Sequence, residues 1–173
     1  MPTIHEKLGV LYYDQTLYKQ AIFHLRSCIK SLEGKEHTND QRARTTKKLC
    51  DAFEKNDELS KAISTYDELI SLLRAIDSSR DQEISEAHFS RGTIFYRLSE
   101  DTKALDAFEK SLDLKRNCLF PDEVGISKLL KAMAETNVRR GNFVVAAELI
   151  REVCCFYVKF SLLLLELIDY IVP

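Results

Sequence analysis

The stretch Gly92 to Leu112, GTIFYRLSEDTKALDAFEKSL, decides the fold. A small residue, Gly92, and an aromatic three positions on, Phe95, are followed by Ala104, Phe108 and Leu112 at helical spacing. Small residues on a first helix and an alanine on a second let two backbones approach closely. The large residues four and eight positions later fill the space toward a neighbour.

The same arrangement recurs along the chain. The alanine returns as Ala21, Ala62, Ala104 and Ala146, with spacings of 41, 42 and 42 residues. Twelve positions before it stand Gly9, Cys50, Gly92 and Ala134, and nine before it Tyr12, Phe53, Phe95 and Asn137. Four positions after it stand Leu25, Tyr66, Phe108 and Ile150, and eight after it Ile29, Ile70, Leu112 and Cys154. A single helix pair cannot bury its apolar face alone, so the pairs must stack. The expectation is an all-α, right-handed solenoid of four antiparallel helix pairs. The pairs are expected over about 2–40, 41–82, 83–124 and 125–160, with an apolar helical extension over 161–173. Gly34, Asn39, Ser78-Ser79 and Pro121-Asp122 supply helix stops and starts between pairs.

Composition agrees. Of 173 residues, 45 % are apolar and 30 % charged, which excludes low-complexity disorder. Five Gly and three Pro are too few for a β-sandwich or a loop-rich enzyme. The formal net charge of −2 gives no basic excess for direct nucleic-acid binding. The cluster Arg42, Arg44, Lys47, Lys48 is flanked by Asp40 and Asp51 and has no interleaved aromatic, so it reads as a solvated helix start. Cys28, Cys50, Cys118, Cys154 and Cys155 are odd in number and lack CxxC spacing. They are expected to be free, buried thiols rather than disulfides or zinc ligands. The polar N-terminus lacks the apolar core of a signal peptide, and no Asn-x-Ser/Thr sequon occurs, which favours cytoplasm or nucleus. The apolar stretch Cys154 to Pro173 is interrupted by Lys159, Glu166 and Asp169, so a core-packing helix is favoured over a membrane span. No polar capping helix follows it, as an incomplete or mis-spliced chain would show.

The recurring pattern resembles the tetratricopeptide repeat (TPR), whose signature runs W-x2-L-G-x2-Y…A-x3-F…P. The first repeat carries Leu8-Gly9-x2-Tyr12 and Ala21-x3-Leu25; the third carries Gly92-x2-Phe95 and Ala104-x3-Phe108; the fourth carries Gly141-Asn142-Phe143 and Ala146. The resemblance covers residues 2–160. It departs from the family at the Trp position (His5, Thr46, His88, Leu130), at Arg91 and in the missing terminal proline. The period of about 42 exceeds the usual 34 or so and is similar to that of kinesin light chain, Pins-type adaptors and Tonsoku-like scaffolds.

No catalytic constellation accompanies the pattern. His5, His24, His37 and His88 show no metal-ligand spacing, and no P-loop, G-x-S-x-G or G-x-G-x-x-G occurs. The reading is a non-enzyme without cofactor or metal.

The resemblance instead implies binding, with the first helix of each pair lining a concave groove. The positions carried over are Thr3, Glu6, Val10, Tyr13 and Asp14; Arg44, Lys47, Asp51, Glu54 and Lys55; Glu86, Phe89, Thr93, Tyr96 and Arg97; and Lys128, Lys131, Glu135, Val138 and Arg139. Over repeats two to four these hold seven basic against four acidic residues. Tyr13, Phe89 and Tyr96 would be exposed aromatic anchors, and Arg97, Lys131 and Arg139 would orient acidic groups. The expected partner is a protein or peptide with acidic side chains and an apolar anchor. Chaperone-tail binding is disfavoured, because Glu6, Val10, Lys47 and Asp51 replace the family's carboxylate clamp. Two alternatives stand beside this adaptor: a fragment of a Tonsoku-like genome-maintenance scaffold, and an oligomer formed through the apolar tail at 156–172.

Overall fold

A computed structural model describes residues 2–35, 38–77, 79–118 and 122–171, with side chains described as far as 158. Eight helices follow in order: α1 (Pro2–Asp14), α2 (Tyr18–Leu32), α3 (Asn39–Lys55), α4 (Leu59–Ile76), α5 (Asp81–Arg97), α6 (Asp101–Arg116), α7 (Glu123–Arg139) and α8 (Phe143–Ile171). No strand occurs among the described residues. Each helix packs on the next, and α1 also touches α3 as α5 touches α7. The first helices of neighbouring pairs therefore form one layer and the second helices another.

The repeat is written into the backbone of the turns. In the four α–α turns, Thr16, Asp57, Ser99 and Gly141 each adopt a left-handed φ of 60–78°. They stand five residues before the recurring alanine. In every turn the N–H of this residue donates to the carbonyl three back, and the next N–H to the carbonyl five back. The latter bonds run from Leu17 to Tyr12, Glu58 to Phe53, Glu100 to Phe95 and Asn142 to Asn137, each at 2.9 Å. This is the Schellman arrangement, which satisfies the last carbonyls of the first helix. The alanine N–H then bonds the carbonyl four back and starts the second helix. One polar turn thus ends one helix and begins the next.

Packing follows the expected register. Ala21, Ala62 and Ala104 are fully inaccessible, and Ala146 nearly so. Leu25 is buried against Gly9 and Phe108 against Gly92, and Tyr66 is buried at the same register. Two apolar clusters result, one centred on α2–α5 and one on α6–α7.

The fourth pair departs from expectation. Ile150 and Cys154 are exposed, because no further helix covers that side of α8 among the described residues. The thiols divide as well: Cys28 and Cys50 are buried, Cys118 is half-buried, and Cys154 and Cys155 are exposed. Arg91, at a position the repeat usually makes apolar, lies largely buried and pairs with Asp67 of α4. His88 is buried with neither ring nitrogen bonded, whereas His5 meets His24 at 3.0 Å between their Nδ1 atoms. His37 and the side chains of 159–173 lie outside the described residues, and with them most of the proposed self-association tail. No described helix is long and apolar enough to cross a membrane.

Candidate protein-binding surface

The first-helix layer is stitched together by polar contacts from pair to pair. Gln41 donates to Glu6 at 2.7 Å, linking α3 to α1. Lys47 reaches Glu86 at 2.6 Å, linking α3 to α5. Arg97 of α5 reaches back to Glu54 at 3.4 Å and to Asp57 at 3.0 Å. Arg139 of α7 pairs with Asp101, and its guanidinium carbon stands 3.7 Å from the centre of the Tyr96 ring. Burial works against the charge on Lys47, but the Glu86 carboxylate outweighs it and holds the ammonium pKa above its ordinary value.

These contacts change the roles of the expected site residues. Lys47, Arg97 and Arg139 are engaged inside the chain, and Lys131 lies 4.0 Å from Glu135. Arg44 and Lys128 are exposed and carry no ion pair among the described residues, although the Lys128 charge helps to lower the Asp122 pKa. The aromatics are not free either. Tyr13 and Phe89 are half-buried and pack on the cores, Phe89 with its ring 5.7 Å from that of Phe108. Tyr96 is half-buried beneath Arg139. Each anchor is therefore only partly accessible.

Sequence reasoning missed the internal pairing, although a signal existed. The pairs join residues 38 to 43 positions apart, close to one repeat period. An opposite charge about one period away marks a cation that is already satisfied.

Between α1 and α3 lies a cleft of about 240 Å³ lined by Gly9, Val10, Tyr13, Asp14, Leu25, Lys48 and Asp51. The missing side chain at Gly9 lets the buried Leu25 pack directly beneath it, so that a β-carbon there would stand 2.7 Å from Leu25 Cγ. Burial raises the Asp51 pKa above the usual carboxylate range, against a hydrogen bond of 3.2 Å from the Tyr66 hydroxyl. Burial likewise raises that of Tyr13. Gly9, Leu25 and Lys48 are the lining residues that the groove positions did not include. A second, smaller cleft lies between α3, α4 and α5, with Ala43, Leu69, Leu73 and Ala87 as apolar walls and Arg44, Lys47, Glu83 and Glu86 at its edge. Among the described residues no group of three or more His, Cys, Asp or Glu could hold a metal ion.

This architecture is the solenoid of TPR-like repeat proteins. No protein-family model and no curated protein sequence matches the chain. Solved structures do match. BtubC (BKLC) from P. vanneervenii superposes with a TM-score of 0.80 at 17 % identity, over 92 % of this chain and 64 % of that one. The apo form of RapI gives 0.75 at 17 % identity, over 92 % of this chain and 57 % of that one. The nearly identical TPR-like repeats of a Podosopora anserina protein designated a kinesin light chain give 0.73 at 14 % identity, over 92 % and 77 %. This chain thus spans less than two thirds of BtubC and of RapI. At these identities the likeness establishes the fold.

Proposed function

We propose that this chain is a non-catalytic interaction scaffold that receives an acidic peptide or helix along its first-helix layer. The observation that carries the reading is that cations outside the internal ion pairs share that layer with a partly apolar cleft. Arg44 and Lys128 are exposed and make no ion pair among the described residues, and the cleft beside Tyr13 has a size suited to one side chain. Free cations steer and orient an acidic partner, while burial of one apolar side chain supplies affinity. The structural likeness to repeat proteins of this architecture supports a binding role over catalysis. The division into repeats at about 2–40, 41–82, 83–124 and 125–160 belongs to the same proposal.

The test is selection from a random-peptide display library with the full chain and its Arg44→Glu/Lys128→Glu variant. The wild type should enrich acidic peptides bearing one apolar residue, with binding that weakens as salt rises. The double reversal should lose them at unchanged melting temperature. Enrichment that survives the reversal, or none at all, would refute the groove reading.

A further inference from the structure

The two ends of the array carry faces that are buried everywhere else in it. Four residues after the recurring alanine, Leu25, Tyr66 and Phe108 are buried, while Ile150 is 42 % exposed. Ten residues before the alanine, Ala52, Ile94 and Thr136 are fully buried, while Leu11 is 51 % exposed. Seventeen before it, Thr45, Ala87 and Leu129 are buried, while Ile4 is 55 % exposed. The α8 face is thus a donor end and the α1 face an acceptor end of one repeating junction.

The internal junctions show what such a union would contain. Second helices pack on the first helix of the next pair, as α2 on α3, α4 on α5 and α6 on α7. At the first junction Cys28 Sγ meets Thr45 Oγ1 at 4.0 Å, and the Arg26 guanidinium lies 5.1 Å from the centre of the Phe53 ring. The residues in register with these four are Val153, Ile4, Arg151 and Tyr12. An apolar pair replaces the thiol–hydroxyl contact, and a cation over an aromatic ring is conserved in kind.

We infer that the α8 face of one copy docks on the α1 face of a second copy, so that chains stack end to end in continuation of the solenoid. Ile150 and Val153 would meet Leu11 and Ile4, and Arg151 would cover Tyr12. Such a contact joins different faces of identical chains, does not close on itself, and builds open assemblies rather than a fixed dimer. It uses neither Arg44, Lys128 nor any residue that lines the cleft beside Tyr13, so it stands or falls independently of the groove.

The experiment is multi-angle light scattering of the full chain over a concentration series, with Leu11→Glu, Ile150→Glu and their equimolar mixture. The wild type should exceed twice the mass of one chain at high concentration. Either substitution alone should weaken association by at least about tenfold, since a carboxylate would be buried in an apolar contact. The mixture should recover a complex of two chains and no more, because one sound junction remains between the two variants. Circular dichroism should show both variants folded, as both positions are exposed; should Ile150→Glu fail to fold, Arg151→Glu replaces it, and should Leu11→Glu fail, Ile4→Glu does. A monomeric wild type overturns the inference. So does loss of association with Ile150→Glu but not with Leu11→Glu, which would mean that α8 pairs with α8.

Discussion

Phe108 lies so close to Gly92 that a β-carbon placed on the glycine would stand 2.5 Å from the ring Cε1 and 2.6 Å from Cδ1. The ring is buried, and its contact with Phe89 further limits its freedom to withdraw. Gly92→Ala therefore sets a gain in helix propensity of about 1 kcal/mol against overpacking of about 1–3 kcal/mol. We expect a net loss of stability in urea denaturation, relieved when Phe108→Leu is added. An unchanged midpoint for Gly92→Ala would show that the two helices can separate at little cost.

The four turns make a second prediction. Thr16, Asp57 and Ser99 hold a left-handed backbone without being glycine, whereas Gly141 occupies the same place in the fourth turn. A β-branched side chain suffers most there. Thr16→Gly and Ser99→Gly should each stabilise the fold by about 1 kcal/mol, and Gly141→Ala should destabilise it by a similar amount. Chemical denaturation of the three variants checks both signs, and a destabilised Thr16→Gly would contradict the strain argument.

His88 sets a pH dependence. Burial, reinforced by the nearby charges of Arg91, Arg74 and Lys110 and opposed by Asp106, lowers its pKa from 6.5 to about 4. The unfolded chain binds a proton near pH 6.5, while the folded chain does not until about pH 4. The stability associated with the neutral ring is complete above about pH 6.5 and is lost as pH falls through this window, by up to about 3 kcal/mol. His88→Leu should flatten the profile between pH 4 and 6.5 in thermal unfolding. It should also stabilise the fold at neutral pH, because both ring nitrogens lack partners. An equally steep profile in the variant would place the titration elsewhere.

Reversal of the paired and unpaired cations should differ. Arg139→Glu sets a carboxylate beside Asp101 and removes the cation from the Tyr96 ring. It should cost about 1 kcal/mol. Arg44→Glu and Lys128→Glu break no internal ion pair and should stay within about 0.5 kcal/mol of wild type. Melting curves of the three proteins separate these outcomes, and equal stability would show that the Arg139 contacts contribute nothing.

The architecture was legible because packing requirements recur as residue types. The alanine series from Ala21 to Ala146, with small residues such as Gly9 and Gly92 twelve positions earlier, reports where two helices touch. The turn was legible only in the fourth repeat, at Gly141, because Thr16, Asp57 and Ser99 carry no glycine to mark their backbone. The candidate surface was less legible still. Its positions follow from repeat register, but the availability of each side chain depends on what an adjoining helix offers it.

Sequence alone determined the all-helical repeat, its register and the alanine at the heart of each pair, since these depend on spacing along single helices and within one hairpin. Only the tertiary structure decided that Lys47, Arg97 and Arg139 are engaged while Arg44 and Lys128 are free. It also decided that the anchors Tyr13, Phe89 and Tyr96 are half-buried, and that Ile150 and Leu11, at positions buried in the other repeats, are exposed among the described residues. Those outcomes depend on neighbours about one repeat away in the chain, which spacing along a single helix does not report.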